Sequence, residues 1–172
     1  MGHGGALVSE FRRRGDRYVV TLAPDEVRVL RKVASEVVGL LTDGFDHSDP
    51  VVGRLFPEAY PDDAPGAAEF RRYTEGDLKT GKIDQAGAVL AALPEASGEV
   101  ALDAEAAEAW LRALNDARLA MGVRLEIKDG TDLGAELDVA VAADPSSTRV
   151  FQISVYAYLG YLQESLLNAM ID

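Results

Sequence analysis

Two-residue alternation governs the first part of the chain. Around Gly15-Asp16, Phe11, Arg13, Tyr18, Val20 and Leu22 fall on one face, and Arg12, Arg14 and Arg17 fall on the other. That period, interrupted by a two-residue turn, predicts a β-hairpin over 10–22. In this register Arg14 opposes Arg17, Arg13 opposes Tyr18 and Phe11 opposes Val20. The period then changes. Leu30, Val33, Val37 and Leu41 recur at three and four residues, with Arg28, Lys32 and Ser35 opposite. This predicts an amphipathic helix over 24–44, opened by Pro24, Asp25 and Glu26, which are favourable in a first turn.

Residues 44–66 carry four prolines and read as loop, with a turn or two of helix at "PVVGRLF". A second long helical region spans 67–93. Gly76, Gly81 and Gly87 weaken it and predict a break near Thr80-Gly81. A third, over 103–127, starts at an Asp103 cap and aligns Ala107, Trp110, Leu114, Met121 and Leu125. The stretch 128–146 reads as a linker with a short structured piece. Ser147 opens a last helix over 147–170. The class is all-α: an α-dominated helical bundle with a short N-terminal β-hairpin, forming one domain over 1–172.

Two features break the apolar stripes. Arg118 lies on the apolar face of its helix, four residues from Leu114. A charge there requires a partner, and Asp77 of the preceding helix is the expected one, with Asn115 flanking the same face. Gly122, one turn on, permits a close approach. The alternative for Arg118, Asp77 and Asn115 is a small-ligand site. The last helix has a main stripe of Phe151, Val155, Leu159, Leu162 and Leu166, and a second of Ile153, Tyr156, Gly160 and Leu167. A helix apolar around so much of its circumference is either central to the bundle or shared in a homodimer seam.

Charge sharpens the picture at the hairpin. The net charge is −12, yet residues 1–32 hold 7 Lys+Arg against 4 Asp+Glu. Four of those arginines lie between 12 and 17. Charge on an edge strand blocks strand addition; Arg12, Arg14 and Arg17 also offer a spot for this protein's own acidic body or for the acidic surface of a protein partner. Nucleic acid is disfavoured, because the acidic helices repel a long polyanion. There is no cysteine, so disulfides, thiolate metal sites and thiol nucleophiles are excluded. His47, between Asp46 and Asp49, reads as an exposed loop residue and not as a metal ligand. Phosphate loops, nucleophile elbows and dinucleotide fingerprints are absent. The expectation is a cytoplasmic protein with no membrane span, no cofactor, no metal and no catalytic residues.

"LNDARLAMGVRLEI" (114–127) resembles the signature of an uncharacterised actinobacterial family of AosR-like oxidative-stress regulators. The arginine-bearing hairpin before "LAPDEVRVLRKV", the "RRYTEGDLKTGKIDQAGAVLAAL" region and the "VYAYLGYLQESLL" helix are similar to its other marks. The resemblance covers nearly the whole chain. It implies regulation by protein contact, with a transcription-initiation factor as partner, and a gene often placed beside that of the Clp protease adaptor. A member with no cysteine departs from any scheme in which an intramolecular disulfide senses oxidant.

Overall fold

The computed structural model describes residues 9–43, 45–57 and 64–172, with the backbone alone at 64, 65, 67, 68 and 70–73. The hairpin consists of β1 (Arg12–Arg14) and β2 (Arg17–Leu22), paired Arg12↔Val19, Arg13↔Tyr18 and Arg14↔Arg17. Gly15 sits at φ 64°, where an L side chain is disfavoured. Asp16 keeps a negative φ, so the turn has the II′ pattern with glycine at its first central position. A third strand, β3 (Gly98–Leu102), pairs antiparallel with β2, giving the order β1-β2-β3. The expected hairpin is thus two-thirds of a sheet. "GEVAL" is too short, with only Val100 and Leu102 alternating inward, to declare itself locally.

Among the described residues six helices follow the hairpin, with β3 between the third and fourth: α1 (Pro24–Thr42), α2 (Pro50–Leu55), α3 (Ala64–Ala92), α4 (Ala104–Arg124), α5 (Leu133–Ala143) and α6 (Thr148–Ile171). The fold is mostly helical with a small antiparallel sheet. Asp49, Asp103, Asp132 and Ser147 cap the starts of α2, α4, α5 and α6, each accepting a backbone N–H two or three residues on. At α1 the N-cap is Ala23, which has no side-chain acceptor. Glu26 alone closes this end, taking the Ala23 N–H at 2.9 Å, half of a capping box. The predicted break at Thr80-Gly81 does not occur: α3 runs unbroken. Each glycine costs a helix about 1 kcal/mol relative to alanine, and packing against α1 and α4 outweighs that. The expected linker at 128–146 contains three turns of helix, α5, of which Ala140 alone is buried.

The main core lies between the sheet's inner face and helices α1, α3, α4 and α6. Phe11, Val20, Leu22, Val100 and Leu102 line the sheet side. Trp110 is wholly buried, with the Phe11 ring edge-on at 5.8 Å. Burying aromatic rings of this size contributes a few kcal/mol, roughly 1 of it from the edge-to-face geometry. Two smaller clusters attach α2 (Val51 and Leu55 on Ala120) and α5 (Ala140 with Leu125 and Ile153).

Helix α4 ends in a Schellman motif. The Ile127 N–H reaches the Gly122 carbonyl at 2.9 Å and the Glu126 N–H reaches Val123 at 3.1 Å. The residue that turns the chain is Glu126, at φ 58°. This is the left-handed region, which costs a non-glycine residue about 1 kcal/mol. Glu126→Gly should therefore raise the free energy of urea unfolding by about 0.5–1 kcal/mol, after allowing for the looser unfolded chain.

Candidate functional site

Three places hold polar groups in numbers: the outer face of the sheet, the groove between α3 and α4, and the corner around His47.

Strand alternation puts Arg12, Arg14 and Arg17 on the outer face of the sheet, around Val19 and Thr21. All three are exposed, and each meets a carboxylate. Arg12 reaches Glu10 at 2.6 Å. Arg14 grips Glu99 of β3 with both terminal nitrogens, at 2.7 and 3.3 Å. Arg17 lies 3.7 Å from Asp103 and 3.9 Å from Asp16. Glu99 raises the Arg14 pKa further, chiefly through these hydrogen bonds. The opposition of Arg14 and Arg17 is thus relieved by acids that β3 and its end bring alongside. Arg13, on the inner side, turns out to solvent and donates to the Gly15 carbonyl at 3.2 Å and the Asp172 carbonyl at 3.4 Å. Tyr161 of α6 closes one end of the shallow basin over these residues, its hydroxyl 3.3 Å from Glu10.

A buried ion pair does join α3 to α4, but through other residues than expected. Lys82 Nζ bonds Asp116 Oδ1 at 2.9 Å. Asp116 is 4% exposed, and it is the one buried charged residue among those described. Its second oxygen, Oδ2, is buried with no hydrogen-bond partner among the described residues. The Lys82 ammonium also faces the Phe56 ring at 5.9 Å. The pair floors a groove of about 1050 Å³ whose walls include Asp77, Gln85, Asn115 and Gln163.

Asp77 stands exposed on that wall and is not the partner of Arg118. Arg118 turns the other way, to α6. It bonds Gln163 at 3.1 Å, Asn115 at 3.4 Å and the Tyr156 hydroxyl at 3.5 Å. These partners are neutral, and the guanidinium stays half-buried with its stem against the helix. Gly160 leaves room for that stem: a Cβ there would lie 3.6 Å from Arg118 Cδ. Gly122 does the same for the Tyr156 ring, which a Cβ would meet at 3.3 Å. The stripe pattern placed Arg118 correctly on an inward face but not against the correct helix. A signal for the real pair was present. Lys82, Ala86, Val89 and Leu93 follow one helical stripe, and Asp116 sits among Ala113, Ala117 and Ala120.

The four-residue seam on α6 is likewise divided by the fold. Ile153 is 1% exposed, packed with Leu125 and Ala140 inside the chain. Tyr156 and Gly160 face α4. Leu167 alone is open, at 44%. A seam through all four is therefore corrected: this stripe is covered by α4 and α5. On the main stripe Val155, Leu159, Leu162 and Leu166 are buried, while Phe151 is exposed beside a pocket of about 100 Å³ between α1 and α6.

His47 is held, not free: its Nε2 shares a 2.6 Å hydrogen bond with Glu75 of α3, and Phe45 stands edge-on to the ring. No cluster of three metal-ligating side chains occurs among the described residues, and no described helix is long and apolar enough to cross a membrane.

The match to a family model decides the relationship. It spans residues 8–170 and is described as Domain of unknown function (DUF2017). The chain belongs to the DUF2017 family. A Mycobacterium leprae relative carrying the name AosR is 31% identical over 204 residues, covering 97% of this chain and 90% of its own. The proteins named oxidative stress regulator AosR from Mycobacterium bovis and Mycobacterium tuberculosis are 31% identical over 163 residues, covering 73% of this chain and 75% of theirs. No solved structure matches the chain. The resemblance read from the 114–127 segment and its companions thus corresponds to this family.

The two polar inclusions on α4 should respond differently to truncation. Lys82→Ala leaves a buried carboxylate without its cation and should cost about 3 kcal/mol in urea unfolding. Replacing both partners, Lys82→Met with Asp116→Leu, should recover most of that loss. Arg118→Ala removes only half-buried bonds to neutral groups and should cost about 1–2 kcal/mol.

Proposed function

We propose that this DUF2017 protein is a non-enzymatic regulator that works by contact with another protein, through the outer face of its sheet. The observation that carries this is the gathering of Arg12, Arg14 and Arg17 on one exposed face of a chain whose remainder is strongly acidic. The names of the mycobacterial relatives support a regulatory role in oxidative stress. The family resemblance points to a transcription-initiation factor as the partner class.

The arginines already have carboxylate neighbours, and this shapes what can bind. Exposed pairs contribute little and exchange readily with solvent. A partner gains only by offering acids in a compact, shielded arrangement that replaces Glu10 or Glu99. A diffuse polyanion meets the arginines and the four acids around them together, so duplex DNA gains little. With no cysteine in the chain, an oxidant signal would enter through the partner or through the level of the protein, not through a disulfide formed here.

Arg12→Glu, Arg14→Glu and Arg17→Glu together should leave the fold intact, since none of the three side chains enters the core. Affinity purification from the native host should recover a protein partner with the wild type and lose it with the triple variant. Submicromolar binding of the wild type to random duplex DNA at about 150 mM salt, abolished by the same variant, would sink this reading.

A second reading rests on the α3–α4 groove. Asp116 Oδ2 lacks a donor beside a polar cleft walled by Asn115, Gln163 and Asp77. A small molecule with hydrogen-bond donors would suit the Asp77, Asn115 and Gln163 side chains on the cleft walls, and the Arg118 network would report its presence through Asn115 and Gln163. A metabolite that raises the thermal midpoint of the wild type and not of Asn115→Ala would establish this sensor.

A further inference from the structure

The sheet has two edges, and they are treated differently. At the β1 edge, α6 packs alongside: the Phe11 N–H is taken by Ser165 Oγ at 3.1 Å, and three arginines occupy the strand. Both are ways of stopping an edge from pairing. At the other edge, β3 carries no lysine, arginine or proline, and no described strand lies beyond it. Its outward-pointing side chains are Glu99 and Ala101, both exposed.

The hairpin geometry fixes which backbone groups face outward. Residues flanking a two-residue turn exchange both hydrogen bonds, so Arg14 and Arg17 form such a pair. Along β2 the odd residues then direct their backbone to β1 and the even ones to β3. Tyr18↔Leu102 and Val20↔Val100 are accordingly the bonded pairs of the second ladder. The N–H and C=O groups of Glu99 and Ala101 are left aimed at the open edge.

We propose that this edge pairs with the same edge of a second copy of the chain, antiparallel and about a two-fold axis at Val100. Charge selects the register. An axis at Glu99 sets Glu99 against its own image, and an axis at Ala101 sets Glu99 against Asp103 of the second copy. Both place acid opposite acid, which is unfavourable. The axis at Val100 sets Glu99 against Ala101 twice. All four backbone groups of Glu99 and Ala101 then bond across the joint in each copy. Val100 meets its image in the close, non-bonded position, continuing the apolar inner layer. The product is a six-stranded sheet with both arginine faces on the same side, the two Arg17 positions three strand spacings apart across it and six residues apart along it, about 25 Å in all. An interface of one short strand is small, so the dimer is weak, with a Kd on the order of 100 μM.

Sedimentation over a concentration series tests this on the full chain. Wild type should show reversible dimerisation. Ala101→Lys puts an ammonium opposite Glu99 at both symmetric places and should tighten the dimer roughly tenfold; Ala101→Asp puts acid there and should weaken it roughly tenfold. The side chain at 101 is exposed, so both variants should keep the wild-type circular dichroism. Should Ala101→Asp fail to fold, the Ala101→Lys arm decides alone. A wild type that stays monomeric to the millimolar range overturns the proposal. So does a dimer indifferent to both variants, or one lost in Leu167→Glu while unmoved by Ala101→Lys, which would place the joint on α6.

Discussion

Helix α4 has neighbours on almost every side. The helices α1, α2, α3 and α6 pack along it, and strands β2 and β3 meet it. A helix so enclosed can present only small or apolar side chains to its neighbours, and α4 does so with Ala107, Trp110, Ala113, Leu114, Ala117 and Ala120. The alanines bring α3 and α2 close; Trp110 fills the wider space under the sheet, where Phe11 meets it. The polar groups that α4 turns toward its neighbours therefore have to be met from those elements. Lys82 answers Asp116 from α3, and Gln163 and Tyr156 answer Arg118 from α6. These bonds fix the azimuth of α4 against both helices, because neither polar group can be moved to an apolar neighbour without a cost of several kcal/mol.

The sheet depends on the same helix. Its inner face is closed by α4 and the core beneath, and no described element covers the outer face or the β3 edge. The charge split along the sequence becomes a spatial one there. The arginines of β1 and β2 stand among the carboxylates of Glu10, Asp16, Glu99 and Asp103, a mixed array and not a uniformly basic patch. Mixed arrays favour discrimination between partners over raw attraction. That suits the proposed choice of one protein surface more than it suits general binding of polyanions.

Local periodicity was enough to read several parts of this protein. The two-residue turn at Gly15-Asp16 and its register follow from alternation and from the backbone freedom of glycine. The inward faces of α1 and α4, and the caps at Asp103 and Ser147, follow from three-and-four spacing and from carboxylate and hydroxyl acceptors placed before it. The grouping of Arg12, Arg14 and Arg17 on one face needed nothing beyond the strand period. The 114–127 segment was sufficient to suggest the family.

The remainder depended on contacts between residues far apart in the chain. Gly98–Leu102 becomes a strand because β2 has an unpaired side next to it; in isolation five residues with two inward apolar positions carry no strand preference worth naming. Residues 64–92 stay one helix because packing on α1 and α4 exceeds the small penalties of Gly76, Gly81 and Gly87. Arg118 and Asp116 are two residues apart on α4, about 200° around the helix. Which of them faces a cation-bearing α3 and which a neutral α6 is set by the rotation of α4 in the assembled core. The rotation of α6 in the same core covers Ile153 and leaves Leu167 open. Periodicity records that a face is apolar or that a charge interrupts it. The identity of the neighbour is a property of three-dimensional packing, where burial energies summed over several helices outweigh any single local preference.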